Sequence, residues 1–491
     1  MLFNSYAFLL VFLPVTWAVF RGLTAAGRGN WAILWLVFAS FFFYGWWNPI
    51  YVFLLAGSVA FNFGLGSILA LYPQTRKVTR HAVLTFGVAF NLVLLGYFKY
   101  ANFFADTANQ LWGTDAVFPG ILLPLAISFF TFQQIAYLVD RYRNHVPPHK
   151  FIHYALYVVF FPQLIAGPIV RPDEILQQYT ARGSKTPLPE NIALGLSLFF
   201  AGLFKKVVLA DHLAQFATPV FDFAQAGGVP ALSHAWMGGL AYTFQLYFDF
   251  SGYSDMALGL AQLFGFRLPV NFNSPYKADS IIEFWRRWHM TLSRFMLDYL
   301  YIPLGGNRHG AMRRNLNLLV TMLLGGLWHG AQWTFVAWGA MHGVFLAVNH
   351  VWQTLTANWN FHREGFIYRT AARGLTFVLL VLAWVVFRAE SFDAALNVYR
   401  GMAGLGGALT PIEFGNGVGW IAVAGTVCWA LPNTVQWLGD YRPGLTGVES
   451  SSVFPLMKWK PTPAWALAVL VLSIWSLLEM TSVSEFLYFQ F

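Results

Sequence analysis

The sequence predicts an all-α polytopic membrane protein. Of its 491 residues, 57% are hydrophobic and only 10% are charged, whereas an ordinary soluble domain is about 25% charged. The apolar residues form long continuous runs, each roughly the length that a helix needs to span a bilayer. A transmembrane β-barrel would instead show alternating segments of about ten residues. We therefore expect a single integral membrane domain that covers residues 1–491.

The apolar runs define the individual predicted spans. These are residues 2–20, 31–47, 51–71, 82–98, 118–139, 191–209, 236–250, 316–330, 333–350, 375–387, 419–431 and 464–478. Segment 151–170 carries Pro162 and Gly167-Pro168 inside an apolar run, so we predict a broken or re-entrant helix there. With partial segments included, we expect about a dozen membrane helices.

Basic residues fall on every second loop between the first five spans. The positive-inside rule then places loops 21–30, 73–81 and 140–150 in the cytoplasm and the N-terminus in the periplasm. Lys99 follows the fourth span and falls in a loop on the outer side. The same rule accounts for much of the net charge of +9, so this charge does not predict a nucleic-acid partner. Membrane lipids are the expected surroundings.

Cysteine chemistry is restricted by the single thiol of the chain, Cys428. One cysteine excludes an internal disulfide and a cysteine-rich metal site. Its apolar neighbours predict a buried thiol. The histidines are also spaced too irregularly to form a tight set of metal ligands, and we predict no metal site.

His329 is the first candidate for chemistry, because the run Gly325–Gln332 contains no other titratable side chain. An ionisable residue at membrane depth is costly and is a functional candidate. Gly325, Gly326 and Gly330 would let backbone or a ligand approach closely. A neutral imidazole there can act as a general base toward a hydroxyl group. The alternative is a histidine that hydrogen-bonds between helices, as polar side chains in membranes do.

A second histidine, His289, lies in a predicted helix over residues 280–296. With helical spacing, His289 shares one face with Trp285, Trp288 and Leu292. This pattern is also typical of an interfacial helix whose histidine is merely packed.

Charged residues near the membrane allow several interpretations. Asp249 and Asp255 follow a predicted span and would line a pore, hold a counter-charge or cap the next helix. Lys205 and Lys206 near a helix end are expected to reach a lipid headgroup. A set of six arginines would bind the phosphates of an acyl-CoA or anionic lipid headgroups. This last set comprises Arg286, Arg287, Arg294, Arg308, Arg313 and Arg314.

Several motifs in order resemble the membrane-bound O-acyltransferase family. They are Asn271-Phe272-Asn273-Ser274-Pro275-Tyr276, Glu283-Phe284-Trp285-Arg286-Arg287-Trp288-His289, Asp298-Tyr299-Leu300-Tyr301-Ile302-Pro303-Leu304-Gly305-Gly306, Leu327-Trp328-His329-Gly330 and Trp338-Gly339-Ala340-Met341-His342-Gly343. The dense matches cover about residues 245–345, which we take as the catalytic core. The sequence is most similar to the bacterial branch that acetylates polysaccharides such as alginate and cellulose.

The resemblance implies a funnel-shaped helical fold with a tunnel through the bilayer. It identifies His329 with the family's characteristic histidine and His289 with its second polar position. It also implies that acetyl-CoA enters from the cytoplasm as a donor substrate and is not a permanently bound cofactor. The acetyl group would cross the bacterial inner membrane to a periplasmic acetyltransferase or directly to a polysaccharide.

The predicted site therefore has two catalytic residues and a set of donor contacts. His329 acts as a base, or as the nucleophile that forms an acyl-histidine, and His289 positions it. We predict donor contacts from Arg286, Arg287 and Arg294 and from the indoles of Trp285 and Trp328. Two other classes stay open on the residues alone, a polysaccharide export channel and a structural subunit. The sequence contains no internal repeat of the kind common in secondary transporters.

Overall fold

The computed structural model describes residues 1–118, 120–182, 189–359, 365–407, 410, 414–445, 457–480 and 487, and the regular structure in these ranges is helical. The α-helices are α1 (Leu13–Ala25), α2 (Gly29–Gly45), α3 (Ile50–Leu71), α4 (Lys77–Leu95), α5 (Ala101–Trp112), α6 (Ile127–Tyr142), α7 (Phe151–Val159), α8 (Phe161–Leu164), α9 (Pro172–Arg182), α10 (Pro189–Phe204), α11 (Asp211–Gln225), α12 (Leu232–Leu263), α13 (Ile281–Arg287), α14 (Met290–Met296), α15 (Gly310–His329), α16 (Trp333–Leu355), α17 (Phe366–Arg388), α18 (Phe392–Met402), α19 (Phe414–Trp429), α20 (Thr434–Trp437) and α21 (Pro463–Glu479). This confirms the all-α fold class.

Short π-helical and 3₁₀ segments interrupt or extend these helices. The π-helical turns are Phe8–Phe12, Gly96–Tyr100, Lys205–Ala210 and Leu297–Tyr301, and the 3₁₀ turns are Pro275–Lys277 and Gly439–Tyr441. π-Helical turns are rare and often mark functional sites. Two of them carry lysines, at Lys99 and at Lys205-Lys206.

Five helical stretches within the described ranges are long and apolar enough to cross a membrane. They are Phe8–Ala25, Ile50–Leu71, Lys77–Trp112, Pro189–Gln225 and Phe366–Arg388. The predicted fourth span is thus part of a continuous helical stretch that extends to Trp112. The fifth predicted span is wrong at its start, because α6 begins at Ile127 and not at residue 118. Residues 120–126 are irregular and include Pro124, which has no backbone N–H to donate.

The predicted interruption of segment 151–170 is confirmed. α7 ends at Val159, Phe160 turns the chain with a ψ of 110°, and the four-residue α8 follows. Every residue from His153 to Val170 is buried. Irregular backbone is tolerated at membrane depth where protein surrounds it, and this segment meets that condition.

The central element of the bundle is α12, whose residues 241–263 are all buried. It packs closely on α10 through glycines. A Cβ atom on Gly202 would lie 2.4 Å from the carbonyl oxygen of Gly252, and one on Gly195 would lie 2.8 Å from that of Gly259. Small residues let membrane helices approach in this way. Cys428 is buried against this core, as expected.

The helix that the sequence predicts to end near Phe250 in fact continues to Leu263. Asp249 and Asp255 lie in its middle and do not cap a following helix. Asp255 pairs with Lys205 at 2.6 Å, and Asp249 pairs with Lys206 at 2.7 Å. The expectation that the two lysines reach lipid headgroups is therefore wrong, and the counter-charge interpretation of the acids is confirmed.

Candidate active site

His329 is the last residue of α15 and is buried, with 6% of its surface exposed. Its imidazole lies edge-on to the rings of Trp328 at 5.0 Å, Trp338 at 5.2 Å and Phe387 at 5.3 Å between centroids. α15 has 20 residues, which rise about 30 Å along the axis. His329 thus lies far from the arginines at the beginning of this helix.

The carbonyl groups at the end of α15 are bound by the π-helical turn Gly96–Tyr100. Lys99 Nζ donates to the carbonyl oxygen of Trp328 at 2.6 Å and to that of His329 at 3.2 Å. The Tyr100 hydroxyl donates to the carbonyl oxygen of Leu327 at 2.8 Å. A helix leaves its last carbonyls without intrahelical donors, and a cation is favoured at this negative end. Lys99 therefore belongs to the site and not to an outer loop.

The second imidazole lies where the chain breaks between α13 and α14. The predicted single helix over 280–296 is wrong, because α13 ends at Arg287 and His289 adopts φ 42° and ψ 51°. This left-handed conformation is uncommon for a residue other than glycine. The Met290 N–H donates to the Asn271 carbonyl oxygen at 2.9 Å, so the break is held by the loop that precedes α13.

Asn271 also orients the His289 ring. His289 Nδ1 lies 3.0 Å from Asn271 Oδ1, which accepts a further bond from the Thr291 hydroxyl at 2.9 Å. An amide oxygen only accepts hydrogen bonds. Nδ1 therefore carries the proton of the neutral ring, and Nε2 carries the lone pair. Asn271 is a site residue that we did not predict individually.

Trp328 brings the two predicted histidines into one site. Its indole centroid lies 5.0 Å from the His329 ring and 6.2 Å from the His289 ring. The indole stacks on Phe132 at 5.2 Å, with 19° between the planes. The two imidazoles, 40 residues apart in sequence, flank one immobilised ring.

A third imidazole, His342, lies one helical turn after Trp338 on α16, and its ring centroid is 4.7 Å from that indole. Trp285 Nε1 donates to His342 Nδ1 at 3.3 Å. His342 is fully buried, with 0% of its surface exposed. Across the ranges that the structure describes, no group of three or more histidine, cysteine or acidic residues is placed to hold a metal ion.

Two adjoining pockets meet at Lys99 and Leu123. The smaller has a cavity volume of about 40 Å³ and is lined by Trp328 and His329 together with segment 123–129. The larger has a cavity volume of about 400 Å³. Its polar lining consists of Lys99, Asn102, Gln332, Arg388 and Glu390.

Comparison with known proteins shows the family of the chain. The model of the membrane-bound O-acyltransferase family matches residues 141–387, which include His289, His329 and His342. The chain belongs to the membrane-bound O-acyltransferase family. Family membership confirms the predicted enzyme class and decides against the export-channel and structural-subunit interpretations.

Similarity to individual acyltransferases agrees with the family match. The peptidoglycan O-acetyltransferase of Helicobacter pylori is 41% identical over 526 residues, covering 100% of this chain and 98% of its own. The probable alginate O-acetylase AlgI of Pseudomonas aeruginosa is 43% identical over 412 residues, covering 83% and 75%. The teichoic acid D-alanyltransferase of Streptococcus thermophilus is 30% identical over 241 residues, covering 46% and 57%.

Two of the three arginines predicted to bind the donor are held by carboxylates in this acyltransferase. Arg294 forms a bidentate pair with Glu174 at 2.5 and 2.9 Å, and Arg287 pairs with Glu283 at 2.5 Å. Arg286 is exposed. Arg286 thus keeps an accessible guanidinium, whereas Arg287 and Arg294, on either side of His289 in sequence, pair with carboxylates.

The glycines around His329 serve helix packing more than ligand access. A Cβ atom on Gly326 would lie 2.1 Å from the carbonyl oxygen of Phe335, and one on Gly330 would lie 2.1 Å from the Phe335 ring. Only a Cβ on Gly325 would find ordinary space, with Met296 at 3.9 Å. Two of the three glycines therefore bring α15 against α16.

Proposed function

We propose that this acyltransferase moves an acetyl group from cytoplasmic acetyl-CoA across the bacterial inner membrane. The acceptor is a hydroxyl group of an exopolysaccharide such as alginate or cellulose, reached directly or through a periplasmic acetyltransferase. The observation that carries the proposal is the pocket that Trp328, His329 and Lys99 line together. Two relatives support acetyl transfer to a polymer by their names, which are peptidoglycan O-acetyltransferase and probable alginate O-acetylase.

In the proposed reaction His329 is the general base. Its imidazole removes the proton of the acceptor hydroxyl, and the hydroxyl oxygen attacks the thioester carbonyl carbon. The carbon–sulfur bond then breaks, and the leaving thiolate takes the proton from the imidazolium. General bases of this kind contribute about 10²–10⁴ in rate. His289, fixed by Asn271, lies across Trp328 and positions the reacting groups.

The donor side is supported by a basic cluster at the opposite end of α15 from His329. Arg286 belongs to α13, whose Ile282 N–H donates to Asn349 Oδ1 near the end of α16 at 3.3 Å. α15 runs antiparallel to α16, since a Cβ atom on Gly343 would lie 3.0 Å from Leu319 Cα, so Arg314 lies near the same end of α16. Arg308 and Arg313 are exposed nearby in sequence, at the beginning of α15. Arginine recognises phosphate groups well. We assign the phosphates of acetyl-CoA to this cluster, on the side that the positive-inside rule makes cytoplasmic.

The acceptor side is the larger pocket near Gln332 and Glu390. It lies at the ends of α15 and α17 that are remote from the basic cluster. With the N-terminus in the periplasm, this pocket faces the periplasm. Its exposed polar residues suit a sugar hydroxyl or a partner enzyme that receives the acetyl group.

The test uses proteoliposomes with labelled acetyl-CoA outside and a polymer acceptor inside, with or without a periplasmic partner. Protein molecules whose cytoplasmic side faces outward should transfer label to the enclosed acceptor. Arg286→Ala should raise the KM for acetyl-CoA. Arg294→Lys serves as a control, since it keeps a cation beside Glu174. Label that appears only when donor and acceptor share a compartment would contradict transfer across the membrane.

A further inference from the structure

The small pocket beside His329 is also lined by Ser128, the second residue of α6. Ser128 is 9% exposed, and its hydroxyl oxygen accepts a hydrogen bond from the Lys99 ammonium at 3.4 Å. A hydroxyl group can also donate, but the proton of this one has no acceptor in the ranges that the structure describes. Leaving a buried donor without an acceptor is unfavourable, so the unused O–H of Ser128 needs an explanation.

The backbone at the beginning of α6 provides a second donor at the same place. A helix leaves its first N–H groups without intrahelical acceptors. The N–H groups of Ile127 and Phe129 have backbone acceptors, whereas that of Ser128 has none within the described part of the chain. Ala126, just before the helix, adopts φ 62°, which is uncommon for a residue other than glycine. This turn starts α6 at the wall of the pocket, where Ser128 carries two donors.

The charges around Ser128 suit an oxygen atom that becomes negative. The Lys99 ammonium donates to two carbonyl oxygens at the end of α15 and to the hydroxyl oxygen of Ser128. A hydroxyl group that accepts from a cation is a stronger donor, because hydrogen bonds in a chain polarise one another. The positive end of the α6 dipole favours negative charge at the same place. The two donors of Ser128 thus lie where they would stabilise a developing oxyanion.

The contact with Lys99 favours this role for Ser128 over that of a nucleophile. A serine nucleophile needs a neighbouring base that takes its proton. An ammonium has no lone pair with which to accept a proton, and Lys99 directs its third proton at the serine oxygen. Ser128 is therefore suited to donating a hydrogen bond and not to attacking a thioester.

We propose that Ser128 is a catalytic residue, whose hydroxyl group and backbone N–H bind the carbonyl oxygen of the acyl thioester. Its role rests on the proposed function, in which His329 activates the acceptor hydroxyl. When the acceptor oxygen attacks the carbonyl carbon, one electron pair of the C=O double bond moves to the carbonyl oxygen, which becomes an oxyanion between the two donors. When the carbon–sulfur bond breaks, the double bond forms again, and Ser128 keeps its proton throughout.

Removing the hydroxyl group of Ser128 should slow the chemical step. Ser128→Ala should lower kcat about 10²–10³-fold, as expected for one lost oxyanion donor. The KM for acetyl-CoA should change little, because the lost bond is strongest in the transition state. Ser128→Thr keeps a hydroxyl group and should recover most of the rate. Ser197→Ala is the matched control and should transfer at the wild-type rate, since this buried serine donates to the Ala193 carbonyl oxygen within α10 at 2.8 Å.

An infrared measurement without turnover separates a catalytic role from damaged packing. The protein carries His329→Gln, and the acetyl-CoA is isotopically labelled at its thioester carbonyl. The carbonyl stretch of the bound thioester should lie at lower wavenumber than that of free acetyl-CoA, because a hydrogen bond weakens the C=O bond. Adding Ser128→Ala should move this band back toward that of the free thioester. An unmoved band, or a Ser128→Ala enzyme with wild-type kcat, would overturn the assignment.

Two other outcomes have patterns of their own. Labelled acetyl that stays on the denatured wild type, is released by hydroxylamine and is missing from Ser128→Ala would make Ser128 a nucleophile and overturn the proposed role. Failure of the proposed function is seen in the wild type, as no transfer from acetyl-CoA and no shifted carbonyl band, and it would overturn the role of Ser128 as well. Transfer by the wild type together with an unaffected Ser128→Ala enzyme would overturn the role of Ser128 alone.

Discussion

Lys99 Nζ lies 3.2 Å from the carbonyl oxygen of His329, a residue 230 positions further along the chain. The same ammonium donates to the Trp328 carbonyl and lies 3.4 Å from the Ser128 hydroxyl. One cation therefore joins the end of α15 to a π-helical turn and to the start of α6. Lys99 also lines both pockets. It therefore holds the end of α15 in place and forms part of the wall along which we propose that an acceptor approaches.

Replacing Lys99 by Met should disable the enzyme. The carbonyl groups of Trp328 and His329 would lose their donor, each at a cost of about 1–3 kcal/mol. A displaced imidazole can lower the rate by about 100-fold. We expect a matching fall in acetyl transfer, measured as kcat. Tyr100→Phe removes only the bond to Leu327 and should have a much smaller effect. A Lys99→Met enzyme with wild-type kcat would show that the contact of Lys99 with the end of α15 does not contribute to catalysis.

Asn271→Ala should resemble His289→Ala in its effect on transfer. The substitution removes the acceptor that fixes His289 Nδ1 and the Thr291 hydroxyl. Because both residues would act as one unit, the double variant should lose little more activity than either single variant. The measurement is a double-mutant cycle on kcat. Losses that simply add would show that Asn271 does not work through His289.

Gly326→Ala should destabilise the protein, whereas Gly325→Ala should be tolerated. The new methyl group at Gly326 would press on the Phe335 carbonyl oxygen, and the one at Gly325 would find space. Overpacking costs about 1–3 kcal/mol. Thermal unfolding in detergent measures the difference. Equal melting temperatures for the neighbouring variants would contradict the close approach of α15 and α16.

Lys205→Met should destabilise the bundle by about 3–5 kcal/mol, because it leaves the buried Asp255 carboxylate without its partner. Adding Asp255→Leu should restore most of the stability, since an apolar pair replaces the ion pair. Thermal unfolding of the single and double variants provides the measurement. If the second substitution brought no recovery, the pair would not be the source of the effect.

Helices with long apolar runs could be predicted closely from the sequence. The predicted span 464–478 corresponds to α21, Pro463–Glu479. This agreement is expected because the preference of a segment for lipid depends on its own residues and not on distant contacts. The continuation of α12 past Asp249 and Asp255 could not be predicted, because those charges are neutralised by lysines from another segment. Local patterns contain no information about such pairs.

The candidate site was also predictable only in part. His329 and His289 were identified by their motifs, and the structure gathers them around Trp328. Their roles stay predictions. The break at His289 was missed because helical spacing continues through residues 280–296, while the turn depends on Asn271. Lys99 was missed because a single lysine near a span end is ordinary until its distant partner is known.

The central claim is tested most directly by single-turnover transfer of labelled acetyl from acetyl-CoA by wild type and His329→Gln. Both proteins should be reconstituted with acceptor and, where needed, a periplasmic partner. The account predicts that His329→Gln folds, melts and binds acetyl-CoA like the wild type but loses transfer by about 10²–10⁴-fold. Transfer by His329→Gln at the wild-type rate would remove His329 from the chemistry and contradict the account.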